Sequence, residues 1–169
     1  VMIGEHLGNI YVQLLKPSDI ETIDPLGSSG DNGLDLAAGD VFSLAAWNTG
    51  TIDGGNVQIH SASGTTAVSG VVNAQMGERG GDVLITGEDV RVVGASINAS
   101  GAEGGGSLAI QGDSIVLSHA DDPARGGSIS AGTINLVANG GMPIELGMDL
   151  HATDGSVTVD GDTLLTDDV

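Results

Sequence analysis

Catalysis needs convergent side chains, so the histidines are the first residues to place. His6, His60, His119 and His151 stand far apart, and none has an H-x-x-x-H partner that would put two imidazoles on one helix face. Serine is plentiful, yet no G-x-S-x-G nucleophile elbow occurs. A hydrolase or lyase acting on sugars would need clustered carboxylates, with Arg or Lys nearby to stabilise developing negative charge. Arg79, Arg91 and Arg125 are the only arginines. Asp89 lies close to Arg91 in sequence, a spacing that surface ion pairing explains, and Asp113 is the other carboxylate through which such activity would run. The sequence predicts no enzyme.

Metal binding is the next chemistry to test. Calcium takes several oxygen ligands from carboxylates and carbonyls. The run "GDNGLDLAAGD" at 30–40 distantly echoes the calcium-binding glycine-aspartate nonapeptide, with Gly30, Gly33 and Asp35 in place. It departs from that pattern in carrying Asp31 where the second glycine belongs and Ala37 at the apolar position, and no tandem copy follows. Asp160, Asp162, Asp167 and Asp168 form a second acidic group. The metal candidates are thus Asp31, Asp35, Asp160 and Asp162, with calcium the only cofactor they suggest; a solvated acidic turn accounts for the same residues. Asn98-Ala99-Ser100 matches the N-glycosylation sequon. A stacked pair of asparagines, Asn98 over Asn73, explains that motif without sugar.

The charge balance narrows the partners. Four Lys and Arg residues face 23 Asp and Glu, for a formal net charge of −19. Too few cations are present to displace phosphate counterions, so nucleic acid and anionic lipid are excluded as partners. There is no cysteine, hence no disulfide framework. No apolar run approaches a membrane span. The opening "VMIGEHLGNIYVQLL" lacks the basic and apolar regions of a signal peptide, and a start on Val points to a processed or excised chain.

These weak signals sit on a strong architectural one. Glycine reaches 29 residues, while Phe, Trp and Tyr occur once each. Between the glycines lie β-branched triplets such as "VQI", "VLI" and "VTV", which a disordered chain would lack. Glycine pairs introduce "GGNVQI" at Gly54, "GGDVLI" at Gly80, "GGSLAI" at Gly105 and "GGSISA" at Gly126, and "GSVTV" starts at Gly155. Aligning them places Val57, Val83, Leu108, Ile129 and Val157 at equivalent positions. The interval from Val72 to Val83 is the same as that from Ile97 to Leu108. Each repeat resolves into about three short strands, for example Val83–Ile85, Val90–Val93 and Ala95–Ala99. Strands this short form no stable sheet alone; stacked coil on coil, they pair in parallel and line up their inward residues.

The predicted fold is therefore all-β, a parallel β-helix or solenoid with Gly-rich turns, and crossover chirality predicts a right hand. One β-helical domain or segment covers 1–169. The Pro-containing stretch 16–33, "KPSDIETIDPLGSSGDNG", is expected to leave the coil as a loop. Tyr11, Phe42 and Trp47 all fall in the N-terminal third, where they would plug one end of the core or lie under that loop.

"GGDVLITGEDVRVVGASINASGAEGGGSLAIQGDSIVLS" resembles the β-helical shafts of filamentous-haemagglutinin-like exoproteins exported by two-partner secretion, in which "ASIxASG", "GGG" and "xxIxGDxI" elements recur. "TINLVANGGMPIELGMDLHATDGSVTVDGDTLL" is similar to later repeats of large bacterial surface proteins of that kind. The resemblance covers about residues 34–165. It implies an extracellular or cell-surface location, a structural role as adhesin shaft or fibre, and a host or cell-surface receptor as partner. The coil ends add self-association, or continuation into further β-helical chain, as the remaining partner class. A carbohydrate-active β-helix enzyme and a calcium-dependent binding module are the alternatives.

Overall fold

The computed structural model describes residues 46–120 and 126–166, and the strand backbone alone at 2–6, 9–13 and 44–45. Among the described residues every regular element is a strand. β1 (Met2–His6) and β2 (Asn9–Gln13) form an antiparallel pair. β3 (Leu44–Asn48) and β4 (Thr51–Asp53) follow. Four complete coils come next, each of three strands. They are β5 (Asn56–His60), β6 (Thr65–Val68) and β7 (Val71–Asn73); β8 (Asp82–Thr86), β9 (Asp89–Val93) and β10 (Ser96–Ala99); β11 (Ser107–Gly112), β12 (Ser114–Ser118) and β13 (Ser128–Ala131); and β14 (Thr133–Ala138), β15 (Ile144–Gly147) and β16 (Asp149–Ala152). β17 (Val157–Asp160) and β18 (Thr163–Leu165) begin a fifth.

Corresponding strands stack into three sheets. The first runs β1-β2-β5-β8-β11-β14-β17, the second β3-β6-β9-β12-β15-β18 and the third β4-β7-β10-β13-β16. Among the described strands only the β1–β2 pair departs from parallel order. The chain is a parallel β-solenoid, as its glycine-punctuated triplets predict.

Alternation along each strand sends every second residue inward. In the first sheet Val57, Val83, Leu108 and Ile134 form one buried ladder, and Ile59, Ile85, Ile110 and Leu136 another. The second sheet contributes Val90, Ile115 and Ile144, and the third Val72, Ile97 and Ile129. Each such aliphatic side chain contributes about 1.5–3 kcal/mol by leaving water. Outward partners such as Gln58 and Asn135 remain exposed.

The register corrects one expected alignment. "GGSISA" does not continue the ladder of "GGSLAI": Ile129 pairs with Ile97 in the third sheet, and Ile134 is the residue over Leu108. The true ladder runs Val57, Val83, Leu108, Ile134 and Val157, and its steps are more even than those of a series through Ile129. The glycine pair Gly126-Gly127 belongs to a different corner, the connection between β12 and β13. The corner between β13 and β14 has shrunk to Gly132 alone. A Gly-Gly-polar-apolar pattern marks a corner but does not say which one.

Trp47 bears on the two placements expected for the aromatics. It packs with Val93 against Ala67 in a small cluster separate from the main core, on the outward row that links Trp47, Ala67 and Arg91. It is therefore not a plug in the main core, one of the two placements expected for it; the other, under the 16–33 loop, falls outside the described residues. The 16–33 loop, Phe42 and the side chain of Tyr11 lie outside the described residues.

Where the third sheet hands over to the first, glycines stack on glycines. A Cβ on Gly81 would lie 2.1 Å from the Gly55 carbonyl oxygen, and one on Gly106 would lie 1.8 Å from that of Gly81. Those oxygens accept the Asp82 and Ser107 amides, at 3.0 and 3.2 Å. Gly106→Ala therefore forces two backbones apart, and it is expected to cost about 1–3 kcal/mol or more. Gly50 has open space where a methyl group would stand, with nothing within 4 Å, and should accept Ala within about 0.5 kcal/mol. Urea unfolding of the two variants, side by side, checks the contrast. Ile110→Ala, at a fully buried ladder position, should cost about 2–5 kcal/mol in the same measurement.

Candidate binding groove

The predicted site residues scatter. His60 ends β5 in the first sheet, His119 follows β12, and His151 lies on β16 in the third sheet; His6 lies on β1, where only the backbone is described. Asp89 and Arg91 alternate with the inward Val90 on β9, so both project outward from the second sheet. Asp160 and Asp162 flank the exposed last turn, whereas Asp31 and Asp35 fall outside the described residues. Among the described residues no group of three or more His, Cys, Asp or Glu is placed to hold a metal ion, and no helix is long and apolar enough to cross a membrane.

Asn98 does stand over Asn73, in register in the third sheet. Their side chains serve their own corners. Asn98 Oδ1 accepts the Ser100 amide at 3.0 Å and the Ser100 hydroxyl at 2.6 Å. Asn73 Oδ1 accepts the Gln75 amide at 3.3 Å. The bond along the stack runs instead from Asn73 Nδ2 to Asp53 Oδ1, at 3.1 Å. The local Asx bond that both make turns the chain away from its strand.

The side chains that do converge lie at the corner between the first and second sheets. There a cleft of about 400 Å³ is lined by His60, Thr86, Glu88, Gln111, Asp113 and Asn139, with Ser61, Ala62, Gly87 and Gly112 beneath them. Register builds one wall: His60, Thr86 and Gln111 are successive members of a single outward row. His60 Nδ1 and Thr86 Oγ1 are 2.5 Å apart. The opposite wall carries Glu88 and Asp113, brought onto adjacent coils by the bond from the Asp113 amide to the Glu88 carbonyl at 2.8 Å. Glu88 Oε2 also accepts the Gly64 amide at 3.1 Å, which anchors the carboxylate.

Gly87 and Gly112 leave the floor as bare backbone for an inward reason. A Cβ on Gly87 would meet Thr66 Oγ1 at 2.7 Å, and one on Gly112 would meet Val90 Cγ2 at 3.1 Å. The Thr66 hydroxyl meanwhile donates to the Thr86 carbonyl at 2.8 Å. Among the lining residues the sequence singles out only His60 and Asp113, and it gives no reason to join them. The signal for the rest is the coil length itself: the interval from Thr86 to Gln111 equals that from Glu88 to Asp113.

A second cleft, of about 330 Å³, lies at the corner between the second and third sheets, and the described residues that line it, Thr49, Thr51, Ser69 and Ser96 among them, are uncharged. Close to it Trp47 Nε1, Asn48 Nδ2 and Ser69 Oγ are buried without partners.

These features define a parallel β-solenoid with a polar axial groove. No family model, curated protein or solved structure matches the chain.

Asn98→Ala removes an acceptor used twice, and it is expected to lower stability by about 0.5–1.5 kcal/mol. Asn98→Asp, which keeps the acceptor, should recover most of that loss in thermal melts at neutral pH.

Proposed function

We propose that this chain is a shaft segment of an extracellular bacterial adhesin or surface fibre, acting as a structural element and not as an enzyme. The resemblance of its repeats to filamentous-haemagglutinin-like shafts supports the reading, and so does a fold in which continuous backbone pairing along one axis makes a stiff rod. The observation that carries it is the last coil. β16, β17 and β18 are the terminal strands of the three sheets among the described residues. Val157 and Leu165 occupy inward ladder positions, over Ile134 and Leu146, yet are 38% and 75% exposed. Among the described residues no strand pairs with the outer edges of β16, β17 and β18, and an exposed apolar rung beside such edges is a surface on which a further coil can dock. In a shaft that coil comes from more chain or from another subunit, and acidic outer residues keep the rod soluble.

The expected outcome is end-on association of the isolated segment, seen as concentration-dependent elongation by small-angle scattering and electron microscopy. Leu165→Asp, at an exposed position, should abolish elongation while leaving the thermal melt of the coils unchanged. Monomers at all concentrations, or elongation indifferent to that substitution, would sink the end-on version of the proposal.

A further inference from the structure

The acidic surface is distributed with a pattern. Within the strands, carboxylates stack on uncharged neighbours: Asp82 lies between Asn56 and Ser107, Asp89 between Thr65 and Ser114, and Glu145 between Val116 and Leu164. Parallel coils are about 4.8 Å apart, and like charges at that distance repel. Outside the strands carboxylates do follow each other on adjacent coils, as Glu78 with Glu103 and Glu88 with Asp113, and the second pair lines the groove between the first and second sheets. Glu88 and Asp113 face the hydroxyl, amide and imidazole row of His60, Thr86 and Gln111.

We infer that this groove binds an extended oligosaccharide of amino sugars carrying free amines. Three properties of the lining select that class. Among the described residues it holds carboxylates and no Lys or Arg, so it attracts ammonium groups and repels sulfated or carboxylated chains. It offers donors and acceptors to hydroxyl groups through Thr86, Gln111, Asn139 and His60, and it has no large apolar or aromatic surface for a greasy ligand. Its polar groups also reach across all four coils: His60 on the first, Thr86 and Glu88 on the second, Gln111 and Asp113 on the third and Asn139 on the fourth. A polyhydroxylated chain laid along the axis can meet these groups coil after coil, about 4.8 Å apart, whereas an extended peptide advances ~3.3 Å per residue and falls out of step. The volume of about 400 Å³ lies within the ~300–1,000 Å³ range of small-ligand clefts. The inference concerns the side of the rod and is independent of what covers its end.

Titration calorimetry with glucosamine oligomers of increasing length tests it at moderate salt. Affinity should rise with length until the oligomer spans the groove and then level off. The double variant Glu88→Gln/Asp113→Asn should weaken binding about tenfold or more. The comparison variant is Glu78→Gln/Glu103→Gln. It removes the same charge from another pair on adjacent coils, joined by the Glu103 amide to the Glu78 carbonyl at 2.8 Å, where both residues are exposed and lie outside the groove. It should change affinity by less than about twofold, and both variants should melt like the parent.

Absence of glucosamine-oligomer binding overturns the inference. Equal loss in the two double variants does so as well, because it reports diffuse attraction to the net charge. Fully N-acetylated oligomers binding as tightly as the free amines would remove the role given to the carboxylates. Oligolysine of matched charge, if it bound as tightly and with the same dependence on Glu88 and Asp113, would assign the groove to peptide.

Discussion

The whole stack depends on one close approach. Where the third sheet turns into the first, the carbonyl of one glycine occupies the space in which the next coil's Cβ would stand, as at Gly81 over Gly55 and Gly106 over Gly81. Parallel coils can hydrogen-bond through the corner only if those positions carry no side chain. The amides that follow, at Asp82, Ser107 and Thr133, then find the glycine carbonyls below them. Strand pairing thus runs unbroken around the bend, and the ladders on either side stay in register. The aliphatic core is a consequence: Ile59, Ile85, Ile110 and Leu136 align because the corners before them align.

Glycine corners also decide how much of the fold is legible in the residues alone. The triplets at Val57, Val83 and Leu108 are readable, with three strands per coil, because inward residues alternate and glycine pairs precede each one. The Asn73–Asn98 register is readable for the same reason. The coil around Ile129 misaligns because glycine pairs serve more than one corner. Only the longer-range requirement of even ladder spacing identifies Gly132 as the true hinge before β14. The place of Trp47 is harder to read for a different reason: on an outward row it is half-buried by contacts across coils, which periodicity within one strand does not encode.

The groove is illegible by conventional motifs. Its residues come in pairs two positions apart, Thr86 with Glu88 and Gln111 with Asp113, and no familiar motif joins the pairs, which lie a full coil apart. A solenoid converts that separation into adjacency. Any two residues one coil apart become neighbours, so a polar surface is composed by repetition across the axis and not by local clusters. His60, Thr86 and Gln111 make one wall in this way, and Glu88 with Asp113 makes the other. The same geometry accounts for the isolation of Asp82, Asp89 and Glu145, each insulated above and below by neutral partners.

The third coil moves its extra length from one corner to another. Between β10 and β11 the chain spends residues 100–106, and between β13 and β14 only Gly132, while a longer connection, 119–127, joins β12 to β13. The step from Leu108 to Ile134 nevertheless matches that from Val57 to Val83. Chain length per coil is therefore held nearly constant while the part of it outside the strands changes its angular position. A solenoid can thus be keyed like a camshaft: the corner that takes the extra residues changes from coil to coil, while the ladders between the corners keep the same gauge.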